Sequence, residues 1–369
     1  MFSIRRVFVS EEISTHPYTK EILSRLKLKP QFLKKDELPP LPLAPWPEVI
    51  SWGKETLFLT RYKGRFFRNC PGTKAYLCCG YHIFHIGQGC PLDCSYCILQ
   101  AYFNQPWLTF FVNVLEEGLP ELELALKIHP FLRIGTGEFT DSFALERITL
   151  LNPQLIEFFA SQNRGVLELK TKTVEIDHLE GLRHGRRTIL AWSLNAPTIV
   201  GEEEKGASSL EERILAAKKA TSWGYPVAFH FDPLIRFEGW QEEYAMAVRL
   251  LFEHIPAENI CWISLGSLRF MPELKEIAWK RHPKTKIFSD EFITGLDGKR
   301  RYFRPLRAEL YRHLYRLIRD FSSEVCVYLC MESPEIWKEA LGFSPREEGG
   351  LSKMLDEAAQ KVCGLKVSG

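Results

Sequence analysis

From Tyr81 to Leu265 the chain alternates short apolar runs with stretches whose apolar residues recur every three or four positions. The runs Tyr81–Ile86, Phe131–Ile134, Val166–Lys172, Thr188–Leu194, Pro226–Asp232 and Ile260–Leu265 predict strands. Between many of them, Pro153–Ala160, Leu210–Trp223, Glu242–Ile255 and Pro272–Lys280 predict amphipathic helices, the second opened by a capping box of Ser209 and Glu212. Strands that alternate with helices predict an α/β fold with a parallel sheet and right-handed crossovers. Periodicity leaves open whether the sheet is open, closed or a partial barrel. In each case chemistry gathers at the C-terminal strand ends. The polar motifs fall there: cysteines after the first strand, GTGEFTDS after the second, Lys172 and Thr173 after the third, Asn195 after the fourth.

The flanks read differently. Residues 1–75 predict an N-terminal extension and linker. Within it, HPYTKEILSRL forms a short amphipathic helix and Leu38–Trp46 (LPPLPLAPW) an extended proline-rich connector. Residues 76–285 carry the alternating pattern, and 286–369 form a C-terminal region. There EFITGLDGKRRYFRP predicts a hairpin turning at Gly295–Gly298, a helix follows over 306–321, and VCVYLCMES predicts a strand.

With 369 residues, 45% of them hydrophobic, the chain can bury a sizeable core. Its net charge of +2 carries no general signal for nucleic acid, so any such signal is local. The absence of an apolar run of about 18 residues argues against a membrane span. The first residues lack the pattern of a signal peptide, so a cytoplasmic location is expected. Six of the ten cysteines fall between Cys70 and Cys97, while Cys261, Cys326, Cys330 and Cys363 are scattered. In a reducing compartment, clustered cysteines bind metal or do redox chemistry more often than they form disulfides.

Cys90, Cys94 and Cys97 have the spacing C-x3-C-x2-C. Three thiolates leave one iron of a [4Fe–4S] cluster without a protein ligand. The amino and carboxylate groups of S-adenosylmethionine can chelate that iron, and an electron from the cluster can then cleave the cofactor into a 5′-deoxyadenosyl radical. A structural zinc site is the alternative, although such sites usually use C-x2-C pairs and four ligands.

The spacing resembles that of the radical S-adenosylmethionine superfamily, which implies a partial (β/α)6 barrel. CPLDCSYCILQAYF, GTGEFTDS, LKTKT, WSLNA, SLEERILAAKKATSWGYPVAFHFDPLI and EGWQEEY, in that order, resemble the spore photoproduct lyase family, as do the late Cys330-Met331-Glu332 and Trp337. The likeness runs from about residue 60 to 345. It implies a DNA-repair lyase that cleaves a thymine dimer through the deoxyadenosyl radical. An external one-electron donor of flavodoxin or ferredoxin type would supply the electron. Tyr96, Gly135, Gly137, Glu138, Ser142, Lys172, Ser193 and Asn195 match positions that line or contact the cofactor in the family.

Two positions depart from that pattern. Thr140 stands where the well-studied lyases carry a hydrogen-donating cysteine, and Ile98 where they carry a radical-relaying tyrosine. Cys330 is the candidate replacement donor, with Cys70, Cys78 and Cys79 as further possibilities. A different lesion, another nucleic acid or a small molecule are the alternative substrates. The stretch Arg300, Arg301, Tyr302, Phe303, Arg304 is basic with interleaved aromatics, so it can neutralise phosphates and stack in the gap left by a flipped lesion. A metal-stabilised DNA-binding protein without turnover is the reading from another class.

Overall fold

The computed structural model describes residues 3–72 and 76–365. Seven parallel strands form its central sheet: β1 (His82–Phe84), β2 (Leu132–Gly135), β3 (Gly165–Thr171), β4 (Thr188–Ser193), β5 (Val227–Leu234), β6 (Ile260–Ser267) and β7 (Val327–Leu329). Each pairs with the next in chain order, and Phe67–Asn69 adds an antiparallel edge beside β1. The sheet is curled into a half-barrel. Its first six strands, with their crossover helices, are the partial (β/α)6 barrel expected above. All six lie within two residues of their predicted ends.

The strands form where they do because both faces of a parallel sheet are covered, so apolar runs need not alternate with polar residues. All eight residues of β6 are buried, as are six of the seven in β3. Helices Leu151–Ala160, Leu210–Ser222, Trp240–His254 and Pro272–Arg281 match the predicted ones closely. At the second of these, Ser209 Oγ accepts from the Glu212 amide (3.2 Å) and the Glu212 carboxylate accepts from the Ser209 amide (2.7 Å). This satisfies two otherwise orphaned donors.

The N-terminal residues do more than extend and link. Arg6–Ser10, Gln31–Leu33 and Thr56–Thr60 build a second sheet, completed by Leu108–Phe111 and Gly87–Gln88. The chain therefore leaves the barrel after β1 and joins the other sheet three residues later, just before Cys90. The cysteine loop thus hangs between two sheets.

The C-terminal hairpin is present, with Phe292–Thr294 antiparallel to Arg300–Tyr302. Helix Arg304–Phe321 starts two residues earlier than expected, because Pro305 suits a first helical turn. Two further helices, Pro334–Leu341 and Leu351–Cys363, were not predicted. The second is tied to the barrel by an ion pair between Asp356 and the buried Arg133 of β2 (2.7 Å). No helix among the described residues is long and apolar enough to cross a membrane.

Gly135 closes β2 where there is no room for a side chain. A Cβ there would lie 1.6 Å from the Tyr81 hydroxyl and 2.8 Å from the Glu168 carbonyl oxygen. Gly135→Ala is expected to lower unfolding free energy by about 1–3 kcal/mol or more in urea titration, as overpacking does.

Candidate radical cofactor site

A cavity of about 510 Å³ opens at the C-terminal ends of the barrel strands. Alternation along each strand selects what faces it. Glu168, Lys170 and then Lys172 come from β3 and its end, Ser193 from β4, His230 and Asp232 from β5, Trp262 and Ser264 from β6, and Tyr328 and Cys330 from β7 and its end. The floor is polar and internally paired. The Glu168 carboxylate contacts His230 Nε2 (2.8 Å) and accepts from Trp262 Nε1 (3.1 Å), and His230 Nδ1 meets Ser264 Oγ (3.1 Å). Asp232 pairs with Arg269 (2.9 Å), whose guanidinium also donates to Cys330 Sγ (3.4 Å).

Cys90, Cys94 and Cys97 form one wall of this cavity. Their loop is held by its backbone. Lys54 Nζ donates to the carbonyls of Cys90 (2.9 Å) and Leu92 (2.5 Å), and Gln100 donates to that of Cys94 (2.9 Å). A short ladder pairs Cys94 with Glu204 and Asp93 with Lys205. None of the three thiols makes a hydrogen bond among the described residues, so each sulfur is free to ligate. A cubane takes one thiolate per iron, so its ligands need not converge on a point. A structural zinc ion usually takes four ligands, and the loop offers three. The donor set therefore fits a cluster better than zinc.

Beside the loop sits one fully buried carboxylate. Glu204 pairs with Arg213 (2.5 Å), lies 3.5 Å from Lys172 Nζ and accepts from the Tyr96 hydroxyl. Burial pushes its pKa up, but Lys172 and Arg213 outweigh that and hold it at about 2. Lys172 Nζ also lies 5.8 Å from the centre of the Tyr96 ring. Lys172, Ser193, Gly137 and Glu138 all border the cavity and could hold the carboxylate, ammonium and ribose of S-adenosylmethionine.

Gly135, Ser142 and Asn195 lie behind the wall. Ser142 Oγ accepts from Thr136 Oγ1 (2.8 Å) and from the Lys170 amide (3.1 Å), locking the turn after β2 onto β3. Asn195 donates to the Pro233 carbonyl (2.9 Å) and accepts from the Tyr244 hydroxyl (2.7 Å), strapping the ends of β4 and β5 together. Asp141, which the sequence reading passed over, does reach the cavity. Its carboxylate accepts from Thr171 Oγ1 (2.8 Å) and the Lys172 amide (3.0 Å).

The family model for spore photoproduct lyase matches residues 76–305. The chain belongs to this family. It is 33% identical over 223 residues to spore photoproduct lyase from Bacillus subtilis (strain 168), covering 58% of this chain and 62% of that protein, so the match spans about three fifths of the relative. The lyase from Clostridium acetobutylicum is 23% identical over 292 residues, covering 78% of this chain and 85% of that one. A solved spore photoproduct lyase mutant, with bound AdoMet and dinucleoside spore photoproduct, superposes with a TM-score of 0.79 at 23% identity, over 89% of this chain and 99% of that one.

The two departures from the lyase pattern face the cavity directly: Thr140 and Ile98 both line it. So do Cys70, Cys78, Cys79 and Cys330. Burial pushes the Cys330 thiol up to about 12. Thr73, in the segment that carries Cys70, Cys78 and Cys79, lies outside the described residues.

The five hairpin residues expected to meet nucleic acid divide into two sets. Arg301 and Tyr302 are interior. Arg301 pairs with Asp297 (2.6 Å) and donates to the Met331 carbonyl (3.1 Å), while Tyr302 stacks on Phe292 and its hydroxyl accepts from the Arg236 amide (3.0 Å). Adjacent residues of a strand point to opposite faces, so both faces are covered here: Arg301 packs toward Asp297 and the Met331 carbonyl, Tyr302 toward Phe292, and helix Arg304–Phe321 follows directly. Arg300, Phe303 and Arg304 remain exposed, with Arg304 paired to Glu339 (2.9 Å).

Two measurements check this electrostatic account. Arg213→Met leaves Glu204 buried with one cation fewer and is expected to cost about 3–5 kcal/mol in urea unfolding at neutral pH. Burial raises the Glu168 carboxyl, but His230 and Trp262 more than offset this and hold it below its ordinary 4.5. Its contribution is therefore fully present above that pH and is lost as pH falls through the lowered value. Glu168→Gln should flatten the acid limb of stability against pH.

Proposed function

We propose that this protein is a radical S-adenosylmethionine lyase that repairs a spore-photoproduct-type thymine dimer in DNA. The observation that carries the reading is convergence. The three cysteines, Tyr96, Glu138 and Lys172 border the same cavity as Cys330 and the hairpin residue Lys299. Family membership and the lesion analogue bound by the solved lyase support the substrate.

When bound, a [4Fe–4S] cluster and S-adenosylmethionine supply a 5′-deoxyadenosyl radical that takes a hydrogen atom from the lesion. Cys90, Cys94 and Cys97 would hold the cluster, three thiolates leaving a place for the cofactor. Lys172 neutralises the cofactor carboxylate, and Ser193 and Glu138 offer hydrogen bonds to its hydroxyl and ammonium groups. The Tyr96 hydroxyl is held by Glu204, which would present its ring to the cofactor. The barrel walls keep water from the radical.

The lesion radical needs a hydrogen atom after the dimer bond breaks. Thr140 cannot supply it, because an O–H bond is stronger than an S–H bond. Cys330 borders the same cavity, and burial keeps its thiol protonated, with a hydrogen atom to give. Exposed Arg300, Phe303 and Arg304 form the surface that would meet DNA, and a flavodoxin- or ferredoxin-type protein would deliver the electron. The expected compartment is the cytoplasm.

The substitutions at Thr140 and Ile98 favour a second reading, in which the same radical chemistry acts on a different lesion or a small molecule. Anaerobic reconstitution is expected to give a brown protein whose visible absorbance is lost in Cys94→Ala. Reduced with dithionite and supplied with S-adenosylmethionine, it should form 5′-deoxyadenosine from the cofactor and restore intact thymines within the strand of spore-type irradiated DNA. Deoxyadenosine without thymine recovery would sink the repair reading and leave the second. Cys330→Ala should still consume cofactor, yet recover at least about tenfold less thymine, the size of a lost proton- or hydrogen-transfer group.

A further inference from the structure

The cysteine loop is a wall with two sides. A second, small cavity of about 30 Å³ shares Cys90, Cys97 and Leu99 with the large one and is otherwise lined by different residues, among them Trp46, Ile50 and Lys54. In the reading above, cofactor and substrate would occupy the large cavity, which leaves the back of the loop for a partner. Trp46 stands there 41% exposed.

The segment after helix Pro272–Arg281 is strapped across this back. Arg281 Nη2 lies 2.9 Å from Asp93 Oδ1 and 3.1 Å from Ser51 Oγ. His282 Nε2 is 3.8 Å from the other Asp93 oxygen. Thr285 Oγ1 donates to Glu203 Oε2 (2.8 Å), which also accepts from Ser95 between two cluster cysteines. Lys205 is the ladder partner of Asp93. These contacts engage Asp93 and Glu203. Lys205, Lys280, Lys284 and Lys286 are exposed, and none pairs with a carboxylate among the described residues.

We propose that this lysine-framed surface behind Cys90 and Cys97 is the docking site of an acidic one-electron carrier protein. The inference rests on the iron–sulfur reading above and adds where the electron enters. The step moves one electron and nothing else: the reduced carrier loses it, and the cluster passes from [4Fe–4S]2+ to [4Fe–4S]+. Charge complementarity selects the occupant, since unpaired lysines steer an acidic surface and raise its association rate. Nucleic acid is disfavoured because the lesion has to enter the large cavity, which the hairpin residue Lys299 lines and the small cavity does not share.

The test needs no lesion. Reconstituted protein is mixed with a reduced, acidic [2Fe–2S] ferredoxin, and bleaching of the cluster absorbance is followed by stopped flow at low salt. The triple variant Lys280→Glu, Lys284→Glu, Lys286→Glu should be reduced at least about tenfold more slowly and lose the salt dependence of the wild type, as electrostatic steering requires. Reduction by dithionite should not change, and K284Q/K286Q should fall between. Equal rates with the ferredoxin would overturn the proposal. So would equal slowing with dithionite, which would place the effect on the cluster itself, or weakened DNA binding with an unchanged ferredoxin rate. A protein that fails to repair DNA but keeps the charge dependence defeats the lyase reading alone. One that takes up no cluster defeats both.

Discussion

Glu204 is buried, yet Lys172 and Arg213 hold its pKa at about 2, well below the ordinary carboxylate value. Moving a carboxylate into such a site costs several kcal/mol unless cations and donors replace its hydration. Arg213, Lys172 and Tyr96 do so together, and each then has its own position fixed by the same atoms. Arg213 reaches from helix Leu210–Ser222, Lys172 from the end of β3, and Tyr96 from the cysteine loop. The backbone of Glu204 pairs with that of Cys94. One electrostatic requirement therefore sets the distance between a barrel strand, a crossover helix and the cysteine loop. A loop of eight residues with little secondary structure gains its rigidity this way.

The same logic extends to the barrel floor. A parallel sheet buried on both faces should be apolar throughout, yet β3 and β5 place Glu168, Lys170, His230 and Asp232 inward. Each carboxylate there meets a basic partner, so the charge is largely balanced before any ligand arrives. The cavity can then offer directional hydrogen bonds without a large net field.

Much of this could be read from the chain. All six strands were legible because short apolar runs between amphipathic helices have few other uses. The cysteine spacing pointed to a cluster, Lys172 was placed by lying at a strand end, and Ser193 followed from the family resemblance. The N-terminal sheet was not legible. RVFVS and TLFLT are only five residues long, and their partners Gly87–Gln88 and Leu108–Phe111 lie inside what reads as the barrel. Glu204 was hidden in the run GEEEKG, which looks like a solvated face. The one available signal was Arg213, a charge on the buried side of a capped helix, which demands a carboxylate. Arg301 and Tyr302 are interior because partners cover both faces of their short strand, which composition does not reveal.

The buried Arg301 has a consequence for how the hairpin can work. Pinned to Asp297 and the Met331 carbonyl, with Tyr302 wedged against Phe292, it behaves as a preformed wedge and not as a flexible arm. No ordering entropy is spent when something binds to it. A strand that met this edge as proposed would have to do the deforming itself, and selectivity would favour strands already weakened in stacking over intact ones. Recognition would then begin as a mechanical test of the partner's stiffness, before any atom of it reaches the cavity.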